Sequence, residues 1–211
     1  MKKLFLFFLF FNAFLSYSQN FTSINEEFDF VYPEKVSEPS ELEPNQKIFK
    51  DSLENGKWLV YSKYENDYCV IEVKRGKIDG TFFYKYPDGK VKWKIGYKEG
   101  KKEGVWQRFS EDKILMDEIP YENNLANGQI KKYSNGVLSG FLDYRNGIEN
   151  GKFVGYHDNG KLSFDGTFVD GKREGQFFNY DSNGFLYLIE FYKEGELKKK
   201  TKFRKNNKKE K

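Results

Sequence analysis

Among the residues able to do chemistry, the one histidine and the one cysteine each stand alone. His157 lies in Tyr156-His157-Asp158-Asn159-Gly160. A metal site needs co-ligands, and a catalytic base needs a nucleophile or acid held beside it in a pocket. The sequence around His157 supplies neither. Ser134 and Asp181 occupy the same place in neighbouring segments of matching pattern, so His157 reads as an exposed turn residue. Cys69 has no second cysteine to bridge to and reads as a half-buried strand residue. Asp88, Asp158 and Asp165 are carboxylates of the acid–base type, but Asp88 and Asp158 fall at recurring turn positions. No G-x-S-x-G, H-E-x-x-H or phosphate-loop pattern occurs. The sequence therefore predicts no catalytic residue, no metal, no cofactor and no small-molecule substrate. A hydrolase of envelope polymers remains a remote alternative, which two carboxylates facing each other across a groove would raise.

Binding chemistry is better represented. Aromatics make up 19% of the chain, whereas alanine occurs only at Ala13 and Ala126. That balance argues against a helical bundle and for pleated, half-buried strands. Trp58, Tyr61, Tyr84, Tyr86, Trp93 and Trp106 form the aromatic set suited to a binding surface. A thin sheet must bury something, so a ladder core competes for the same residues. Trp93 lies off the recurring pattern and is the clearest candidate for a functional role. A second candidate is electrostatic: Lys198, Lys199, Lys200, Lys202, Arg204 and Lys205 open a basic C-terminal stretch. This stretch and Lys2-Lys3 carry more positive charge than the whole chain's net +4, so the body between them is acidic.

The elements that position these residues recur. The segments GIENGKFVGYHDNGKLSFDGTFVDG and GKREGQFFNYDSNGFLYLIEFYKEG share one form, G-x-x-x-G-x-F-x-x-Y-x-x-N-G-x-L, and end in an aromatic residue, two residues and a glycine. The second glycine of this frame falls at Gly56, Gly80, Gly104, Gly128, Gly151 and Gly175, at intervals of 23 or 24 residues. Trp58, Phe82, Trp106, Ile130, Phe153 and Phe177 follow two residues later. Apolar alternation in segments such as Lys90 to Tyr97 has the period of a strand. Asp88-Gly89, Asn135-Gly136, Asn159-Gly160 and Asn183-Gly184 supply the positive φ of a tight hairpin turn. The second bend is expected across G-x-x-x-G, with charged residues such as Lys101-Lys102-Glu103 kept in water. Asp112-Lys113 replaces the turn in the third copy, and the fourth copy is one residue shorter before its turn. Lysine is strained at positive φ, so a different turn and a bend or bulge are expected near 112–136. One hairpin is marginal alone, so stability must come from stacking on its neighbours.

From about Gly56 to Gly195, roughly two thirds of the chain, this pattern resembles the MORN repeat in its bacterial variant form, G-x-W/F-x-x-Y-x-x-N/D-G-x-L. The resemblance implies an all-β fold: an elongated antiparallel sheet of about six stacked 23–24-residue β-hairpin repeats, a twisted single-layer, open solenoid. It also implies scaffolding or recognition, since arrays of this family are linked to membranes and partner proteins. Many bacterial variant-repeat proteins carry an antitoxin label, which makes an immunity-type binding protein a remote alternative.

The ends complete the organisation. Residues 1–18, MKKLFLFFLFFNAFLSYS, have the layout of a secretory signal peptide. Residues 19–53 are an acidic lead-in with Pro33, Pro39 and Pro44, in which Phe28, Phe30 and Tyr32 alternate and are suited to capping a sheet edge. The array is expected over 54–197, and 198–211 as a disordered basic tail. The chain reads as an exported, non-enzymatic scaffold, periplasmic, outer-envelope associated or secreted. Its expected partner is a protein or peptide. The alternative is an anionic membrane or glycan surface met by aromatics and the tail, and nucleic acid is disfavoured for an exported protein.

Overall fold

A computed structural model describes residues 28–33, 55–62 and 67–203, with the backbone alone for 28–33 and 58–62. Residues 1–18, read above as a signal peptide, the lead-in apart from Phe28–Pro33, and the residues beyond Phe203 lie outside the described residues. All regular structure among the described residues is strand: β1 (Phe28–Pro33), β2 (Gly56–Ser62), β3 (Tyr68–Lys74), β4 (Lys77–Ile78), β5 (Gly80–Lys85), β6 (Val91–Lys98), β7 (Lys101–Phe109) and β8 (Leu115–Glu122). Then follow β9 (Leu125–Ala126), β10 (Gly128–Ser134), β11 (Val137–Arg145), β12 (Ile148–Tyr156), β13 (Leu162–Val169), β14 (Lys172–Tyr180), β15 (Leu186–Lys193) and β16 (Glu196–Lys202).

These strands form one open antiparallel sheet whose spatial order is the chain order, from β1 at one edge to β16 at the other. The two-residue strands β4 and β9 pair only with β3 and β8. β1 lies on β2, with Val31 opposite Val60, so the alternating stretch at Phe28–Pro33 does cap the first edge.

The turns differ from the sequence expectation in an instructive way. The tight two-residue reversals lie between copies, at dipeptides such as Glu99-Gly100 (φ 51° and 81°) and Asn146-Gly147 (φ 51° and 81°). Lys98 opposite Lys101 and Arg145 opposite Ile148 close them. Two successive positive φ values match the right-handed twist of the flanking strands. The bend is therefore this dipeptide and not the whole of G-x-x-x-G. Lys101-Lys102-Glu103 already belongs to β7, and Gly104 (φ 84°) sits where the pairing with β6 shifts register, as a bulge.

The Asn-Gly and Asp-Gly sites form three-residue loops in which only the last residue has positive φ, at Gly89, Gly160 and Gly184. Each of these donates its N–H to the carbonyl three residues back, as Gly160 does to His157 at 2.8 Å. The preceding Asx contributes its side chain: Asp88 Oδ1 accepts from Lys90 N at 3.0 Å and Asn159 Oδ1 from Lys161 N at 3.1 Å. Lys113 does not change the turn. It takes φ 63° and donates to Ser110 O at 2.9 Å, as its glycine counterparts do. The departure falls instead at Asn135-Gly136, where both residues are left-handed and Ser134 opposite Val137 closes a two-residue turn. That is the residue missing from the fourth copy.

Alternation gives the sheet a covered face and an open face. On the covered face Phe82 lies opposite Ile95, Trp106 opposite Ile119, and Ile130, Leu142, Phe153 and Gly166 run across β10 to β13. Phe82, Phe153, Ile71, Ile95, Ile119 and Leu142 are the largest fully buried side chains. No second layer among the described residues covers them. The rings cover each other, with Phe153 and Phe164 centroids 4.4 Å apart and Phe177 and Tyr192 5.1 Å apart. Long basic side chains roof the rest: Arg173 lies 5.1 Å from the centroids of both Phe177 and Tyr192, and Lys102 Nζ 5.2 Å from that of Tyr121.

The basic stretch expected as a tail from residue 198 begins in the sheet: Lys198 to Lys202 are part of β16, with Lys200 opposite Glu190 and Thr201 opposite Ile189. β15 would otherwise end the sheet with unpaired backbone groups, and the buried Glu190 carboxylate meets Lys200 Nζ at 2.8 Å.

Candidate functional site

The aromatic set splits by burial. Tyr84 and Trp106 are core residues, 7% and 8% exposed. Trp93 stands two residues before Ile95 on β6 and so shares its covered face. Its ring stacks on Phe82 at 5.0 Å and Tyr84 at 5.2 Å and tilts against Trp106 at 6.3 Å. Tyr86 is half-buried at the start of a turn, with Lys92 Nζ 5.3 Å from its ring. Trp58 and Tyr61 lie on β2 opposite Ile71 and Tyr68, and their side chains are outside the description. Tyr84, Trp93 and Trp106 thus come together, as a stack that fills the covered face.

Next to this stack the same row becomes charged. Trp93 lies opposite Arg108, Arg108 opposite Asp117, and Asp117 opposite Lys132. Asp117 is 1% exposed and accepts from Arg108 Nε at 2.7 Å. Burial lowers the Lys132 pKa, Asp117 opposes that shift and Arg108 adds to it. Asp117 thus compensates the charge of Arg108, and its field partly offsets the burial of Lys132. Further along the same face, burial raises the Glu149 pKa, against a hydrogen bond from Tyr144 OH at 3.3 Å and the charge of Arg173.

His157 is half-buried rather than exposed. Its Nε2 lies 2.9 Å from Tyr180 O, so it ties one turn to the next strand as an N–H donor. Asn159 Nδ2 does the same to Ser182 O at 2.6 Å. Cys69 is fully buried in the core, deeper than the half-buried strand position expected. Asp88 is paired to Lys90 at 2.8 Å, Asp158 is exposed, and Asp165 lies on the open face opposite Phe178. Among the described residues no group of three or more His, Cys, Asp or Glu is placed to hold a metal.

The electrostatic candidates lie at an edge. Lys198, Lys199, Lys200 and Lys202 are all exposed on β16, and Arg204 and Lys205 lie outside the described residues. Lys198 contacts Glu196, and Lys200 is held by Glu190. Lys199 and Lys202 meet no carboxylate among the described residues. Phe203 N donates to Tyr187 O at 2.9 Å. In antiparallel geometry the donors alternate, so those of Lys200 and Lys202 point away from β15, off the sheet. Phe185, Tyr187 and Phe191 are exposed beside this edge, and Phe191 lies opposite Lys199. A sequence signal for β16 existed: Gly195-x-x-x-Lys199 restarts the glycine frame with lysine in place of the second glycine.

No family model matches the chain, and no curated protein matches it.

Proposed function

We propose that this chain is a non-enzymatic recognition scaffold, a MORN-like array of six 23–24-residue hairpin units in a twisted open sheet, which binds an acidic, extended segment of a partner protein by adding it as a strand beside β16. The observation that carries this reading is the β16 edge, unpaired among the described residues, with outward backbone donors at Lys200 and Lys202 among four exposed lysines. A second copy of the same edge would set lysine against lysine, which disfavours self-pairing. A strand bearing Asp and Glu meets the same edge with opposite charge. In this reading the N-terminal segment directs export and the scaffold works in the cell envelope.

The test is fluorescence anisotropy with labelled extended peptides of alternating Val/Thr and Glu, Lys or Ser. The Glu peptide binds, the Lys peptide does not, and Lys202→Pro weakens Glu-peptide binding about tenfold or more by deleting an outward donor. Equal binding of the Glu and Lys peptides, or no effect of Lys202→Pro in a folded protein, refutes the reading.

A second reading rests on the exposed rings Phe185, Tyr187 and Phe191 beside the lysines, a combination suited to an anionic membrane surface. Sedimentation with phosphatidylserine vesicles that is lost in Tyr187→Ser/Phe191→Ser supports it, and unchanged sedimentation excludes it.

A further inference from the structure

The open face holds a basin far from β16, between the neighbouring turns that follow β5 and β7. Its volume is 490 Å³, within the range of small-ligand sites. Phe83, Val91 and Phe109 supply apolar walls, while Lys90, Lys94 and Lys113 bring three ammonium groups. Asp88 is the one carboxylate in the lining, and Lys90 occupies it at 2.8 Å. Glu111 and Asp112 share the turn of Lys113 and act on Lys90. Lys94 projects from the middle of β6, in register with Phe83 on one side and Gln107 on the other. Its Nζ lies 5.9 Å from the Phe109 ring centroid. Neither Lys94 nor Lys113 forms a close ion pair with a carboxylate among the described residues, although the charge of Lys113 acts on Asp88 across the basin.

Lys113 adds an independent mark. It occupies the left-handed position that Gly89, Gly160 and Gly184 hold in other turns, at φ 63°. A side chain there costs about 1 kcal/mol relative to glycine. The fold does not need it, because glycine serves the same turn elsewhere, yet it sets a cation on the rim of the basin.

We propose that this basin binds a small ring-bearing anion, whose aromatic or apolar ring packs on Phe83 and Phe109 and whose carboxylate or phosphate group meets Lys94 and Lys113. Ring and charge act together: the Phe walls favour removing a ring from water, and the lysines select the charged member of a pair of otherwise similar ligands. The site stands apart from β16 and does not depend on strand addition there.

The test is an amide-detected NMR titration of the full chain with 1-naphthoate and phenyl phosphate. Inorganic phosphate and 1-naphthylmethanol serve as probes lacking the ring or the charge. The expected result is a saturable shift of the Gly89, Lys90, Lys94 and Lys113 amides with the ring-bearing anions. The neutral alcohol and inorganic phosphate each bind about tenfold more weakly or not at all. The stronger of the two ring-bearing probes identifies carboxylate or phosphate as the preferred group. Lys94→Gln and Lys113→Gly, the second restoring the residue of other turns, each weaken binding, and the double variant abolishes it. The proposal fails if no saturable shift occurs at these amides, if inorganic phosphate or the alcohol matches the ring-bearing anions, or if the double variant binds like the parent.

Discussion

Gly166→Ala should destabilise the protein by about 2–3 kcal/mol, although the backbone there suits alanine. A Cβ at Gly166 would stand 2.3, 2.4 and 2.8 Å from Cδ1, Cε1 and Cγ of Phe177. Carbon atoms rest about 3.5–4.0 Å apart, so the ring must retreat by about 1 Å or more. It has little room to do so: Phe177 meets Phe168 edge-on at 5.9 Å and Tyr192 at 5.1 Å, with Arg173 over it at 5.1 Å. Overpacking costs about 1–3 kcal/mol, and weakening two ring contacts worth about 0.5–1.5 kcal/mol each adds to it. Restricting the unfolded chain returns about 0.4–1 kcal/mol. Urea unfolding measures the balance, with an unchanged m-value confirming that the unfolded state is comparable. A double-mutant cycle isolates the cause. In a Phe177→Ala background the clash disappears, and Gly166→Ala should then cost about zero. A cost below about 0.5 kcal/mol in the parent, or the same cost in both backgrounds, would refute the view that ring-on-backbone contact holds β13 and β14 in place.

Three further outcomes follow from buried charge and turn geometry. Asp117→Ala removes the buried carboxylate that accepts from Arg108, whose own side chain still reaches solvent, and should cost about 1–3 kcal/mol in the same urea assay. Lys113→Gly should raise stability by about 0.5–1 kcal/mol, read as a higher denaturation midpoint. Burial lowers the Lys102 pKa from 10.5 to about 8. Above pH 8 the folded state therefore holds fewer protons here than the unfolded state, and stability gains from this group as pH rises from about 8 toward 10.5. Burial raises the Tyr97 and Tyr144 pKa values, so these tyrosines oppose that gain above pH 10. Comparing urea midpoints at pH 7 and 9.5 should show a smaller rise for Lys102→Met than for the parent.

The strands were legible because their alternation is local, and a residue such as Phe82 or Trp106 announces a covered face by its period alone. The turns were legible in kind but not in place. Glycine at both ends of Gly100-x-x-x-Gly104 gives the same letters for a five-residue bend and for a two-residue reversal followed by a bulge. Only the pairing of Lys98 with Lys101 separates them. Trp93 drew attention by departing from the repeat, although its spacing from Ile95 already placed it on the covered face. The basin was not legible, because Phe83, Lys94 and Phe109 become neighbours only through cross-strand register. β16 was obscured by composition. A run of lysines looks like a solvated tail until β15 needs a partner for its backbone and Glu190 a cation.

Because the strands of the sheet follow chain order, with only the two-residue β4 and β9 set off the path, every long strand finds its place beside the long strand made just before it. A chain emerging from a ribosome or a translocation pore can therefore lay down its sheet in sequence, with no strand waiting for a distant partner. Contacts of this kind close short loops and so fold quickly for a β protein. At each stage the newest strand is the growing end, ready for another. Among the described residues β16 is the last strand laid down, and its exposed lysines disfavour pairing of that edge with the same edge of another copy.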